Sequence, residues 1–92
     1  MVPIEIENIK NFVSHLISQY ENENNIQMQA SNLFLLFSQW ATENNVNIHS
    51  NFVSFGIQFK NSGIPHVKKR NKKGNVIQII IDQVRNHIQM NQ

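Results

Sequence analysis

VKKRNKKGNVIQIII, residues 67–81, predicts an antiparallel β-hairpin. Its second half is a run of β-branched residues, which favour strands. Asn71 and Gly74 supply turn chemistry between that run and the residues before it. Five cations fill six positions around the turn: Lys68, Lys69, Arg70, Lys72 and Lys73. Such a run is either a solvated surface or a contact for a polyanion, and its neighbours in the fold must decide between the two.

Amphipathic helices are predicted upstream of this hairpin, because apolar residues recur at spacings of three and four. The first helix covers about residues 5–21, with this apolar stripe: Ile9, Phe12, Val13, Leu16, Ile17 and Tyr20. A very short strand at 26–29 precedes the second helix, for which Ser31 is the expected N-cap and Asn44-Asn45 the stop. The stripe of the second helix consists of Leu33, Phe34, Phe37, Trp40 and Ala41.

A third predicted helix begins at Ser50, its expected N-cap, and ends before Gly63, a typical C′ glycine. Its expected core-facing residues are Phe52, Phe55, Gly56 and Phe59. A glycine inside a helix lowers stability by ~1 kcal/mol relative to alanine. We therefore expect another helix to approach closely at Gly56, where any side chain would point into the core.

The order of the predicted elements is that of a winged helix-turn-helix domain. It runs helix, short strand, helix, helix, strand, turn, strand, and residues 82–90 suggest a short closing helix that begins at Asp82. We predict an α+β fold of three helices with a small antiparallel β-hairpin as the wing. The length suits one domain over residues 1–92, with its core at about 5–82 and a tail at 83–92.

Charge is distributed unevenly along the chain, whose formal net charge is +2. Residues 1–43 hold five glutamates against one lysine, a net of −4, whereas residues 44–81 hold six cations and no acid. Residues 82–92 hold one charge of each sign. A small total charge with one concentrated basic half predicts an oriented electrostatic face.

Composition disfavours several classes of protein. The chain has no cysteine, which excludes disulfides and thiolate zinc sites and favours an intracellular setting. No apolar run approaches the ~20 residues of a membrane span, and no signal-peptide pattern is visible. No catalytic constellation emerges, and the four histidines lack metal-binding spacing. We therefore predict neither an enzyme nor a cofactor or metal site.

Two segments resemble a known family. MQASNLFLLFSQWATENN (28–45), followed by SNFVSFGIQFKNSGIPHVKKRNKKGN (50–75), is similar to the C-terminal winged-helix domain of poxvirus-type primase-helicases, which has relatives in other large DNA viruses, phages and mobile elements. The shared features are Trp40, the pair Phe55-Gly56, Phe59, a helix-ending Gly63 and the basic hairpin. The chain departs from the family at Asn44-Asn45, where glycine is common, although asparagine tolerates the left-handed conformation.

The resemblance covers about residues 26–81 and implies an accessory nucleic-acid-binding module, since the sequence has no GxxxxGK[ST] phosphate loop. It further implies a viral or mobile-element replication protein that engages duplex or forked DNA, with a parent helicase as its protein context. The implied location is an intracellular site of DNA replication, in viral or host cytoplasm or a nucleoid.

The predicted DNA-binding surface has two parts. On the third helix, polar residues face away from the phenylalanines, with Ile57 on their flank, and suit bases or phosphates: Ser50, Asn51, Ser54, Gln58 and Asn61. Lys60 beside them suits a backbone phosphate. The hairpin contributes Lys68, Lys69, Arg70, Lys72 and Lys73, whereas protecting a sheet edge would need only one or two lysines. The alternative for the helix is an ordinary solvated face.

Two other functions remain open. A winged-helix domain can bind proteins instead of DNA, through its helical face or an acidic first helix. Here the docking surface would be formed by Glu5, Glu7, Glu21 and Glu23, and the wing would meet an acidic partner. The chain can also be a small transcription regulator that dimerises through its tail helix, with Val84, Ile88 and Met90 at the contact.

Overall fold

A computed structural model describes residues 4–20, 22–48 and 50–90, with the backbone alone for Ile4, Glu5 and residues 87–90. Over these residues the chain is an α+β fold of four helices and one three-stranded antiparallel sheet. The elements are α1 (Ile4–Ser18), β1 (Asn25–Gln29), α2 (Ala30–Glu43), α3 (Phe52–Asn61), β2 (His66–Asn71), β3 (Gly74–Ile80) and α4 (Ile81–Met90). This order of elements confirms the prediction from sequence, including the closing helix.

The sheet has the order β1-β3-β2, so β3 is its central strand. β1 pairs with β3 in a register that runs from Asn25 opposite Ile80 to Gln29 opposite Val76. The first strand therefore joins a hairpin that lies about fifty residues further along the chain. This pairing was not predicted, because a four-residue alternation of apolar and polar residues does not indicate which strand it pairs with.

The predicted hairpin is confirmed, with Lys72 and Lys73 as its two-residue turn. The side-chain oxygen of Asn71 accepts a hydrogen bond of 2.8 Å from the backbone N–H of Lys73. Gly74 closes the turn with a φ of +123°, which other residues rarely adopt. The turn residues are therefore determined by local backbone chemistry.

The core lies where α1, α2 and α3 meet one face of the sheet, and its central side chain is Phe37. The ring of Phe37 lies 5.5 Å from that of Phe12 on α1 and 5.1 Å from that of Phe55 on α3. Such ring pairs contribute about 0.5–1.5 kcal/mol each beyond their area burial. The contact fixes three helices to one another. Ile77 and Ile79 of β3 complete the core from the sheet.

One end of α1 and one end of α2 differ from the prediction. α1 ends at Ser18, and Tyr20 beyond it is exposed and lies outside the core. Ser31 is not the N-cap of α2: the cap position is Gln29, whose side chain makes no capping hydrogen bond. The reason is that β1 pairs through Gln29 and passes into the helix without a connecting residue. The predicted stop is confirmed, since Asn44 caps α2 and Asn45 is left-handed at φ 57°.

The expectation that Gly56 meets another helix is wrong. Apart from its chain neighbours and the backbone of its own helix, no described atom lies within 4 Å of where its Cβ would stand, and the residue is exposed. Phe52, also expected in the core, is 46% exposed and packs one edge against Phe34 with ring centres 6.0 Å apart. Phe55 and Phe59 are buried as predicted, and Gly63 follows the helix at φ +79°.

α4 packs against the sheet with Val84, which is buried among core residues. Val84 therefore serves the fold of its own chain and is not available as a dimer contact, so that part of the regulator hypothesis is wrong. The side chains of Ile88 and Met90 lie outside the described residues. In the part of the chain described here, no helix combines the length and apolar character that crossing a membrane requires.

Gly56→Ala should raise the free energy of unfolding by up to ~1 kcal/mol, because alanine favours helices and a methyl group meets no neighbour at this position. Urea denaturation followed by circular dichroism measures the difference. Gly63→Ala is the matched control and should lower stability by about 1 kcal/mol, since its φ of +79° strains any side chain. A loss of stability in Gly56→Ala would contradict the open position of this residue.

Candidate nucleic-acid interface

The basic hairpin is exposed along its length. β2 is an edge strand of the sheet, and every residue from 67 to 73 is exposed. The five cations predicted to bind DNA therefore all reach solvent. Nothing in their exposure conflicts with a contact to a polyanion.

The cations of the hairpin point in several directions, because successive side chains of a strand alternate between its two faces. Lys68 is opposite Ile77, a buried residue of β3, so Lys68 and Arg70 belong to the face that continues the core. Lys69 belongs to the opposite face, and the two turn lysines extend from the end. Positive charge therefore surrounds the tip of the hairpin instead of lying on one plane.

The outer face of α3 and the hairpin border one open groove of about 620 Å³. The helix lines it with Val53, Gly56, Ile57 and Lys60, and the hairpin with His66, Lys68, Asn75 and Ile77. A helix and a hairpin that line the same groove lie on the same side of the molecule. This is the arrangement that a joint contact by both elements requires.

His66 holds the start of β2 against α3. Its ring meets the ring of Phe59 edge-on, with centres 4.8 Å apart, and its Nδ1 donates a 2.7 Å hydrogen bond to the carbonyl of Ile64. The width of the groove therefore depends on a packed contact at its base. Sequence reasoning missed this contact, because a single histidine before a strand carries no signal of its tertiary neighbour.

The predicted site residues of α3 have three different outcomes. Lys60, Asn61 and Asn51 are exposed, and Gln58 and Ser54 are half-buried. Ser50 was expected on the outer face, and this is wrong, since it is only 8% exposed. It lies before the helix and is buried.

Asn51, not Ser50, is the N-cap of α3. The side chain of Asn51 accepts a 2.9 Å hydrogen bond from the backbone N–H of Ser54, and the Ser54 hydroxyl accepts one of 2.9 Å from the N–H of Asn51. This reciprocal capping box satisfies two backbone donors at the helix start. Both side chains therefore stabilise the start of the helix, and their role in binding stays a prediction.

The outer face of α3 is apolar near the start of the helix. The sequence had predicted a polar outer face. Val53 is 69% exposed and Ile57 57% exposed, one helical turn apart on the same face, with Gly56 beside them. The signal was present as a second apolar stripe at a spacing of four. Periodicity alone does not tell which of two stripes on a ten-residue helix faces the core.

The lysines that line the groove give it positive charge, and no acidic residue is in its lining. Lys60 lies at the helix side and Lys68 at the hairpin side, and residues 44–81 contain no acid. Among the residues that the structure describes, no three histidine, aspartate or glutamate side chains gather as metal ligands do. The groove is therefore suited to an anionic partner with apolar groups.

No protein-family model, characterised protein or solved structure matches this chain. The resemblance of residues 26–81 to viral primase-helicase domains stays a prediction.

Asn51→Ala should lower the free energy of unfolding by about 1 kcal/mol, because the first turn of α3 loses its side-chain acceptor. Asn51→Asp should retain most of the stability, since a carboxylate also accepts from the N–H of Ser54. Asn61→Ala, at the exposed end of the same helix, is the control and should change stability by less than about 0.5 kcal/mol. Equal effects of Asn51→Ala and Asn61→Ala in urea denaturation would refute the capping role.

Proposed function

We propose that this chain is a winged-helix domain that binds duplex or forked DNA. In this proposal α3 is the recognition helix and the β2–β3 hairpin is the wing. The observation that carries it is the shared groove: a hairpin with five exposed cations borders, through Lys68, the same opening as the exposed face of α3. The order of elements and the three-stranded sheet are compatible with this fold family.

Counterion release supplies most of the binding free energy in this mechanism. A cation that neutralises a DNA phosphate releases condensed salt ions, so affinity falls as salt rises, by roughly 0.9 in the log–log slope for each phosphate contacted. Positive charge on several sides of the hairpin tip allows contacts to phosphates on both strands of a duplex. Protecting a sheet edge would not require five cations.

Contacts from α3 position the protein on the DNA and add a modest sequence preference. Lys60 lies in the last turn and at the groove, where it suits a backbone phosphate. The amides of Gln58 and Asn61 match the donor and acceptor pattern of adenine in the major groove. α3 contains no arginine, so a bidentate arginine contact to guanine is absent from it.

The biological context that we propose is DNA replication. The two segments that resemble viral primase-helicase domains form α2, α3 and the hairpin, the elements that build and support the groove. An accessory DNA-binding module beside a helicase motor requires no catalytic residues of its own. The proposed partners are DNA and a parent helicase, at the site where the DNA is copied.

One observation favours a second function, an interaction module for another protein. Phe52, Val53 and Ile57 expose apolar surface at the groove, and apolar patches of this kind often mark protein contacts. The groove, rather than the acidic first helix, would then be the docking surface. Of that acidic set, Glu7 and Glu23 are exposed, whereas the side chains of Glu5 and Glu21 lie outside the described residues.

Replacing all five hairpin cations (Lys68, Lys69, Arg70, Lys72 and Lys73) by alanine should weaken binding to a random-sequence duplex at least about tenfold at physiological salt. The log–log salt slope should also become shallower, by roughly 0.9 for each phosphate that the variant no longer neutralises. Fluorescence anisotropy over a salt series measures both quantities. Thermal unfolding of the variant shows that its fold is intact.

A matched pair of single variants distinguishes the effect of a hairpin lysine on binding from the effect of losing one positive charge elsewhere. Lys72→Ala and Lys10→Ala remove the same charge, one at the turn of the hairpin and one on α1. Only Lys72→Ala should weaken binding measurably. Unchanged affinity of the fivefold variant, or equal losses in both single variants, would defeat the proposed role of the hairpin. A shallow salt slope of the unmodified protein would favour the protein-interaction function.

A further inference from the structure

Among the described residues, the exposed apolar stripe of α3, Val53 and Ile57, is not part of the core. Val53 and Ile57 are the most exposed of the large apolar residues described, at 69% and 57%. The core takes its contacts from the other side of this helix, through Phe55 and Phe59. Both exposed side chains line the groove in front of the hairpin, which Phe55 and Phe59 also line.

Gly56 strengthens the case that something approaches this stripe from outside. The glycine lies one residue before Ile57 and three after Val53, on the same part of the helix surface. No contact with the described residues requires it, because none of their atoms, outside its own helix backbone and chain neighbours, lies within 4 Å of its Cβ position. A glycine that costs helix stability without an internal reason is expected where an outside group comes close to the backbone.

Among possible partners, the surrounding charges favour DNA over a neutral or acidic protein segment. Lys60 and Lys68 lie at the two sides of the groove, and further cations continue along the hairpin beyond it. A regular polyanion can neutralise such a series of charges, whereas a single short acidic segment would leave part of it unpaired. The occupant must therefore offer repeated negative charge and, at Val53 and Ile57, apolar groups.

Duplex DNA provides one apolar group in its major groove, the C5-methyl group of thymine. We infer that Val53 and Ile57 contact thymine methyl groups and give the protein a preference for A·T-rich sites. This inference rests on the proposed DNA-binding function and adds the residues that select sequence. Gln58 and Asn61, on the same helix, can bond the adenines of those base pairs.

Replacing thymidine by deoxyuridine tests the inference, because it removes the methyl group and keeps base pairing and phosphate charge. Two duplexes of one A·T-rich sequence are compared by fluorescence anisotropy at fixed salt. The unmodified protein should bind the thymidine duplex about three- to tenfold more tightly, as expected when one or two methyl groups are buried against the protein. In the double variant Val53→Ala/Ile57→Ala the two affinities should become equal.

Leu35→Ala is the matched control, because Leu35 is an aliphatic residue of α2 that is 55% exposed and does not line the groove. This variant should keep the full preference for the thymidine duplex. Comparing each variant on both duplexes isolates the methyl contact from any general effect of deoxyuridine on DNA shape. The replaced side chains are exposed, so all variants should fold, and urea denaturation verifies it.

The possible outcomes separate this inference from the proposed function. Equal binding of both duplexes by the unmodified protein would overturn the thymine contact and leave DNA binding in place. An undiminished preference in the double variant would also overturn it, since other residues would then sense the methyl group. Absence of binding to either duplex at low salt would overturn the proposed function and this inference together, and would favour a protein in the groove.

Discussion

The central strand β3 holds the molecule together by pairing with β1 along one edge and β2 along the other. Its Ile77 and Ile79 point into the core, so the strand is fixed by side-chain packing as well as by its two ladders. β2 has no other strand partner among the described residues, and its cations are positioned only because β3 is fixed. The location of the basic hairpin beside α3 therefore depends on the burial of two isoleucines on the neighbouring strand.

The orientation of α3 depends on aromatic packing. Phe55 stacks near Phe37 and lies 5.9 Å from Phe59, which in turn meets His66 at the start of the hairpin. This series of ring contacts links the centre of the core to the base of the groove. Because one side of the helix is fixed in this way, its other apolar stripe must face solvent. The same contacts that stabilise the fold thus create the exposed surface on which the proposed functions rest.

Much of the fold could be predicted from the sequence because it is encoded locally. Apolar periodicity predicted the helices, and a β-branched run with Asn71 and Gly74 predicted the hairpin. The cations of the hairpin could be predicted to be exposed because charged side chains are rarely buried. The errors came from tertiary structure: β1 ends at Gln29 and passes directly into α2, so Ser31 does not cap that helix, and Ser50 is buried. Tertiary contacts decide which apolar stripe of α3 faces the core, and the sequence pattern does not contain them. Gly56 was therefore predicted to face the core, although it is exposed.

The direct passage of β1 into α2 and of β3 into α4 has a consequence for how this sequence can change. Each junction lacks a spacer, so inserting one residue there would rotate the following helix by about 100° and move its apolar stripe away from the core. Between α2 and α3 lies a connecting segment, so a change in its length does not directly rotate either helix. Insertions and deletions that preserve the fold are therefore expected in residues 44–51, and substitutions alone at the two junctions.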